Sequence, residues 1–166
     1  MSSRILLVNP PFYRLLGSHY NANSLGIAYI ASYLNKHGHD AWVYNADFLN
    51  TQDYSNSADL FKEFKNYKNY FQNPNDPIWV EVVNKINDFK PEWVGYTSYT
   101  ANLSAIDIIS KKLKSIRPKA KQVIGGVHAT LDHNVLDHLQ TIDYSVQREG
   151  EEAMLSLING NDPKSI

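Results

Sequence analysis

The 166-residue sequence has no cysteine, which excludes disulfides, cysteine-bound zinc, iron–sulfur clusters and thiol nucleophiles in this chain. It has no surplus of either charge. Sixteen Lys and Arg stand against seventeen Asp and Glu, a net charge of −1, so no broad basic face is expected and a dedicated DNA or RNA binder is excluded. No apolar run approaches the ~18 residues of a membrane span. The run Ile5-Leu6-Leu7-Val8 is also too short for a signal peptide, so a cytoplasmic location without a membrane partner is the expectation. Neither a Walker A loop nor G-x-G-x-x-G occurs, which weakens nucleoside triphosphate and dinucleotide readings. No G-x-S-x-G elbow marks a Ser-His-Asp enzyme. His133 and His138 stand five residues apart, off the i,i+4 spacing that puts two ligands on one helix face, so no metal site is expected. Nothing marks Asp47 and Glu149 as an acid–base pair, and no catalytic residue is assigned.

What is present is enough for a core. Hydrophobic residues make up 43% of the chain and aromatics 12%, and at roughly 150 residues per domain one domain spanning 1–166 is expected. Arg4–Val8 is a short apolar run stopped by Asn9-Pro10-Pro11, as in a strand buried on both faces. Leu25, Ala28, Ala31 and Leu34 then recur at helical spacing, with Asn23 or Ser24 to cap the start and Gly38 to end it. Further strands are expected at Ala41–Tyr44, Trp93–Thr97, Gln122–Ile124 and Asp143–Val146. Between the second and third lies a helical insertion at about 51–90. Its Leu60, Phe61, Phe64 and Tyr67 form one helical stripe, and Trp79, Val82, Val83, Ile86 and Phe89 a second, closed by Pro91. Leu103 to Ile116 is the clearest helix, Val135–Leu139 another, and a last helix runs from about Gly150 to Ile158.

This alternation predicts an α/β, Rossmann-like (flavodoxin-like) fold: a five-stranded, mainly parallel sheet in the order 2-1-3-4-5 with helices on both faces. Ligands of such folds sit at the carboxyl ends of the strands. There the sequence offers Asn9–Tyr13, Asn45–Asp47, Thr97–Asn102, Gly125–Thr130 and Arg148–Glu151. Gly125-Gly126 follows an apolar strand and lets a ligand lie against backbone. Ser98, Thr100 and Asn102 offer hydroxyl and amide groups suited to an amide-rich or phosphate-bearing ligand. His128 shares this rim with His19, and reads as a supporting hydrogen-bond partner rather than a ligand or base.

Several blocks, in order, resemble one family. They are Leu6-Leu7-Val8-Asn9-Pro10-Pro11, Leu25 to Leu34, Val94-Gly95-Tyr96-Thr97-Ser98-Tyr99-Thr100, Gly125-Gly126-Val127-His128-Ala129-Thr130 and Glu149-Gly150-Glu151-Glu152. Together they are similar to the N-terminal cobalamin-binding domain of B12-dependent radical SAM enzymes, in the branch of the anaerobic magnesium-protoporphyrin ester cyclases and B12-dependent methyltransferases. The blocks cover most of the chain outside 51–90. The resemblance implies a domain that buries the nucleotide tail of cobalamin between strand ends, with the corrin on top. It places Ser98, Thr100 and Asn102 along the tail pocket, Gly125 and Gly126 where the tail passes the backbone, and His128 and Thr130 nearby. Arg148, Glu149 and Gly150 close the far side, and Pro11, Phe12 and the loop to Asn23 lie near the corrin.

Two departures qualify the likeness. Other B12 domains carry Asp-x-His-x-x-Gly after the first strand, with a cobalt-binding His. Here Asn9-Pro10-Pro11-Phe12-Tyr13 stands there, so cobalamin without a His axial ligand is expected. The Cys-x-x-x-Cys-x-x-Cys motif of a [4Fe–4S] cluster is also missing. The cluster, S-adenosylmethionine and the small-molecule substrate are therefore expected in a downstream radical SAM domain of the same polypeptide, and this chain alone is expected to have no turnover. The alternatives are an FMN or nucleotide carrier of the same fold, a small transferase using Asp47 or His128, and a ligand-free interaction module. Against the first, the prolines after the opening strand remove the N–H donors a phosphate loop needs.

Overall fold

Every residue from Ile5 to Val8 is buried, because the strand that contains them is covered on both sides. In β1 (Arg4–Asn9) successive side chains point to opposite faces: Leu6 and Val8 enter one core, Ile5 and Leu7 the other. A computed structural model describes residues 2–18, 24–48 and 57–161. His19 and Asn23 lie outside the described residues, as does the side chain of Leu60. The remaining strands are β2 (Asp40–Asn45), β3 (Trp93–Thr97), β4 (Lys121–Gly125) and β5 (Tyr144–Ser145). They form one sheet in the order β2-β1-β3-β4-β5, parallel throughout. This is the expected flavodoxin-like arrangement. The fifth strand is shorter than expected, although Asp143 N–H to Gln122 O and Val146 N–H to Ile124 O, both 2.8 Å, prolong its pairing.

The helices are α1 (Leu25–Lys36), α2 (Ser57–Gln72), α3 (Pro77–Phe89), α4 (Leu103–Ile116), α5 (Val127–Leu131), α6 (Val135–His138) and α7 (Glu151–Ile158). α1 and α7 cover the face that holds Ile5, Leu7 and Val123. α3 and α4 cover the other, with Tyr67, Tyr70 and Phe71 of α2 and Val135 of α6 at its margin. The helical insertion thus belongs to one core. Gly38 ends the first helix with φ +86°; Ser24 precedes Leu25, but its side chain makes no capping bond. Short 3-10 turns at Tyr13–Leu16 and Thr100–Asn102, and the five-residue α5, replace expected loops. Each is too short to leave an apolar period in the sequence.

Two polar devices fix this frame. The first is interior. Gln122, fully buried on β4, accepts from Tyr96 Oη at 2.7 Å and donates Nε2–H to Ser110 O and Thr141 O at 3.1 and 3.2 Å. Burial pushes the Tyr96 hydroxyl far above its ordinary pKa, so it remains a donor. The second protects an edge. Asn35 of α1 accepts from Ala41 N–H and donates to Ala41 O, both at 2.8 Å. Its amide imitates a neighbouring strand on the open side of β2, where an unpaired edge would invite another chain.

Tyr96→Phe leaves the Gln122 acceptor buried without a donor and is expected to lower unfolding stability by about 1–3 kcal/mol. Tyr96→Phe combined with Gln122→Leu should cost less than the sum of the single changes, measured as a double-mutant cycle by urea denaturation. Asn35→Leu should retain the fold yet raise concentration-dependent association, read by light scattering. Unchanged association would show that the amide does not guard the edge.

Candidate functional site

Gly95 is the middle residue of β3, and its neighbours in register are Leu7 on β1 and Val123 on β4. The row Leu7–Gly95–Val123 forms the floor of a crevice whose walls are α1, through Gly26, Ile27 and Ile30, and α7, through Met154. The crevice has a volume of about 160 Å³ and reaches the carboxyl rim at Gly125-Gly126 and Arg148–Gly150. Five glycines line it, and three keep their positions by having no side chain. A Cβ on Gly95 would lie 2.7 Å from Leu7 Cδ2, and one on Gly150 would lie 2.6 Å from Ile30 Cδ1. At Gly126, with φ +95°, a Cβ would meet Ser98 N at 2.8 Å and Ser98 O at 2.9 Å. The first two neighbours are flexible side-chain ends, and the third is backbone.

The expected site residues divide by what their side chains touch. Gly125, Gly126, Arg148, Glu149 and Gly150 line the crevice. Ser98 is fully buried: Oγ–H donates to Gly125 O at 2.7 Å and the oxygen accepts from Ala129 N–H at 3.3 Å. Asn102 accepts from Tyr99 N–H at 2.9 Å and donates to Thr97 O at 3.2 Å. Thr130 donates to Gly126 O at 3.0 Å and accepts from Arg148 N–H at 2.9 Å. That last bond supports Arg148 at φ +60°, a left-handed backbone uncommon for a side-chain-bearing residue. Thr100 is exposed, and its hydroxyl lies 3.0 Å from His128 Nδ1. Ser98, Asn102 and Thr130 therefore hold the rim in shape through backbone groups.

Pro11 is buried and Phe12 stands at the end of β1, edge-on to Tyr13 and to Tyr67 of α2 at 4.9 and 5.7 Å. Phe12 helps line a second hollow of about 410 Å³, with Asn9, Tyr13 and Tyr99. Beneath it, the buried Asp47 carboxylate accepts from Phe12 N–H at 2.6 Å and Arg14 N–H at 2.8 Å, with Tyr13 N–H as a third donor. Burial raises the Asp47 pKa against the pull of these donors. Arg14 continues the lock, meeting Glu81 Oε2 of α3 at 2.6 Å. Successive backbone N–H groups after the first strand are the usual cradle for a phosphate; here the chain's own carboxylate fills it.

Gly95, Ile30 and Met154 were not foreseen as site residues, and Asp47 was expected on the rim and for an alternative transferase but not as the acceptor of the β1 loop. A glycine inside an apolar strand was the available signal, since it marks a close approach, but which strands flank it depends on long-range pairing. Among the described residues, no group of three or more His, Asp and Glu side chains is placed to hold a metal ion. No helix among them is long and apolar enough to cross a membrane.

Comparison with known proteins bears on the family and the fold. The anaerobic magnesium-protoporphyrin IX monomethyl ester cyclase of Rubrivivax gelatinosus is 34% identical over 89 residues, 53% of this chain and 16% of that protein. The enzyme of the same name from Cereibacter sphaeroides is 30% identical over 79 residues, 47% of this chain and 13% of that protein. The chain thus spans a small part of the length of these relatives. Among solved structures, the RcsB response regulator of Salmonella typhimurium aligns with 98% of this chain and 63% of its own, at a TM-score of 0.51 and 11% identity. That likeness is one of fold alone. The family model for the B12 binding domain matches residues 16–158, from the turn after the first strand to the end of the last helix, and this chain belongs to that family.

Proposed function

We propose that the chain is a cobalamin-holding module that takes the nucleotide tail into the Gly95 crevice and presents the corrin to a radical SAM domain. The observation that carries this reading is the floor Leu7–Gly95–Val123, where an omitted side chain opens a hollow in a doubly covered sheet. The residues fit the group. A hollow of about 160 Å³ compares with an engineered apolar cavity of ~150 Å³ that accepts benzene, so a flat aromatic base is a match in size and polarity. The sugar and phosphate then fall to the rim, where Gly125 and Gly126 offer bare backbone and Arg148 a cation. Gly150 closes the wall against Ile30, with Glu149 beside it. Ser98, Asn102 and Thr130 keep the strand ends in register, Thr100 and His128 face the ligand from the rim, and Pro11 and Phe12 lie toward the corrin.

When bound, cobalamin supplies cobalt-centred group-transfer chemistry. The chain's own part is to bind, orient and shield. The loop Asn9-Pro10-Pro11-Phe12-Tyr13 brings no imidazole to the metal, and the expected bound form lacks a protein His ligand. A chain without cysteine cannot ligate an iron–sulfur cluster by thiolates, so the cluster and S-adenosylmethionine belong to the partner domain in this reading. The substrate belongs there too, and the name of the two relatives makes a methyl-ester-bearing tetrapyrrole one class to test. An FMN reading is disfavoured, because Asp47 already occupies the backbone donors after β1.

Titration with hydroxocobalamin followed by desalting is expected to leave corrin absorbance on the chain, in a form with the nucleotide base off the cobalt. Gly95→Val adds bulk where the facing atoms belong to a flexible Leu7 side chain. It should leave the fold intact but weaken retention by about tenfold or more, the scale of overpacking a filled site. Gly150→Ala should act in the same direction. Gly126→Ala, which strains backbone against backbone, should instead lower the melting temperature. Retention unaffected by Gly95→Val would place the tail elsewhere and overturn the reading.

A further inference from the structure

One side-chain chain on the rim serves no evident packing purpose. Asp132 Oδ2 lies 3.5 Å from His128 Nε2, and His128 Nδ1 lies 3.0 Å from Thr100 Oγ1. Every member is held. Asp132 Oδ1 accepts from Asn134 N–H at 3.0 Å, the backbone N–H of His128 donates to Ser98 O at 3.1 Å, and the imidazole side chain is only 15% exposed. Thr100 is exposed at the start of its turn. His128 follows the crevice-lining Gly126 by two residues and Thr100 follows the crevice-lining Thr97 by three, so the chain belongs to the same carboxyl rim as the crevice.

The order of the groups sets the direction of the protons. With the Asp132 carboxylate 3.5 Å from Nε2, the neutral tautomer favoured electrostatically is the one that carries its proton on Nε2, and it leaves Nδ1 as a lone pair. Thr100 must then donate to Nδ1, and a hydroxyl has one proton to give. Toward a ligand, Thr100 presents lone pairs alone. We infer that Asp132 and His128 are positioning residues that make Thr100 an acceptor-only contact, so that this part of the rim selects a ligand group bearing N–H or O–H and turns away phosphate and carboxylate. The inference rests on the cobalamin reading and deepens it: the group met by Thr100 is a peripheral amide or the ribose hydroxyl, whereas the phosphate is left to backbone and Arg148.

The donor direction is read without any ligand, from the nitrogen-15 spectrum of the His128 ring in mildly alkaline buffer. The proton should be on Nε2; a proton on Nδ1 overturns the inference. Binding is read by corrin absorbance. Thr100→Val should weaken hydroxocobalamin retention by about fivefold, the worth of one neutral hydrogen bond, and an unchanged affinity overturns the inference. Cobinamide, which keeps the peripheral amides and lacks the nucleotide, separates the two donors. A Thr100→Val loss that persists with cobinamide assigns the amide, and a loss confined to cobalamin assigns the ribose hydroxyl. His128→Ala frees the Thr100 proton, and should relax discrimination against a corrin whose amides are hydrolysed to carboxylates. The same change in a Thr100→Val background should do nothing, an outcome that a merely structural His128 would not produce. A wild-type chain that retains no corrin overturns the tail reading and the ligand assigned here, while the nitrogen spectrum still decides the proton direction.

Discussion

A parallel sheet covered by helices on both faces has no natural vacancy in its middle, because each interior side chain meets a helix above or below it. The row Leu7–Gly95–Val123 breaks that rule at one position. Apolar residues flank the gap, and α1 and α7 span it through Ile30 and Met154. The hollow measures about 160 Å³ and opens at the rim. A Cβ at position 95 would press on Leu7 Cδ2 at 2.7 Å, so the absent side chain keeps both Leu7 and the hollow in place. Under the proposed function that hollow is space for a ligand. Gly150 completes the design from the other side, since its missing Cβ lets the start of α7 close on Ile30.

The rim above the crevice is stiff for a different reason. Its hydroxyl and amide side chains are largely engaged with backbone: Ser98 joins β3 to β4 and α5, Asn102 closes the turn after β3, and Thr130 carries Arg148. Asp47 does the same for the loop after β1. Groups engaged in this way offer a ligand little direct contact, but they fix the positions of the bare backbone at Gly125 and Gly126. Such preorganisation reduces the ordering cost of binding. Under the proposed function, recognition then falls to Thr100, Arg148 and Glu149.

The strand order could be read from the sequence because each strand carried its own boundary. Prolines stop the first, glycines follow the fourth, and α4 has five apolar residues at helical spacing. The order and the family were accordingly legible. The crevice floor was not. Gly95 sits in an apolar strand and reads there as a small residue, and only the pairing with Leu7 and Val123 turns it into a vacancy. The rim hydroxyls were equally opaque, since Ser98 and Thr100 have the same bonding capacity. One is buried against Gly125 O and the other exposed beside His128, a difference set by tertiary placement. The role of Asp47 was hidden for the same reason: its partners are N–H groups of a loop more than thirty residues earlier in the chain.

A shared fold leaves function undetermined, and here the details at one strand end decide between its uses. A flavodoxin-like sheet can hold a phosphate in the backbone after its first strand. In this chain that backbone turns inward onto Asp47, and Arg14 ties it to Glu81 on the neighbouring helix. Under the proposed function, the ligand is thereby displaced from the β1 loop to the crevice between β3, α1 and α7, with a flat apolar group entering first and the polar remainder left on the rim. On the proposed reading, a cofactor held by its far end keeps its reactive face outward. That geometry suits a domain whose proposed part is to bind, orient and shield the cofactor, with the reactive face turned to the proposed second domain.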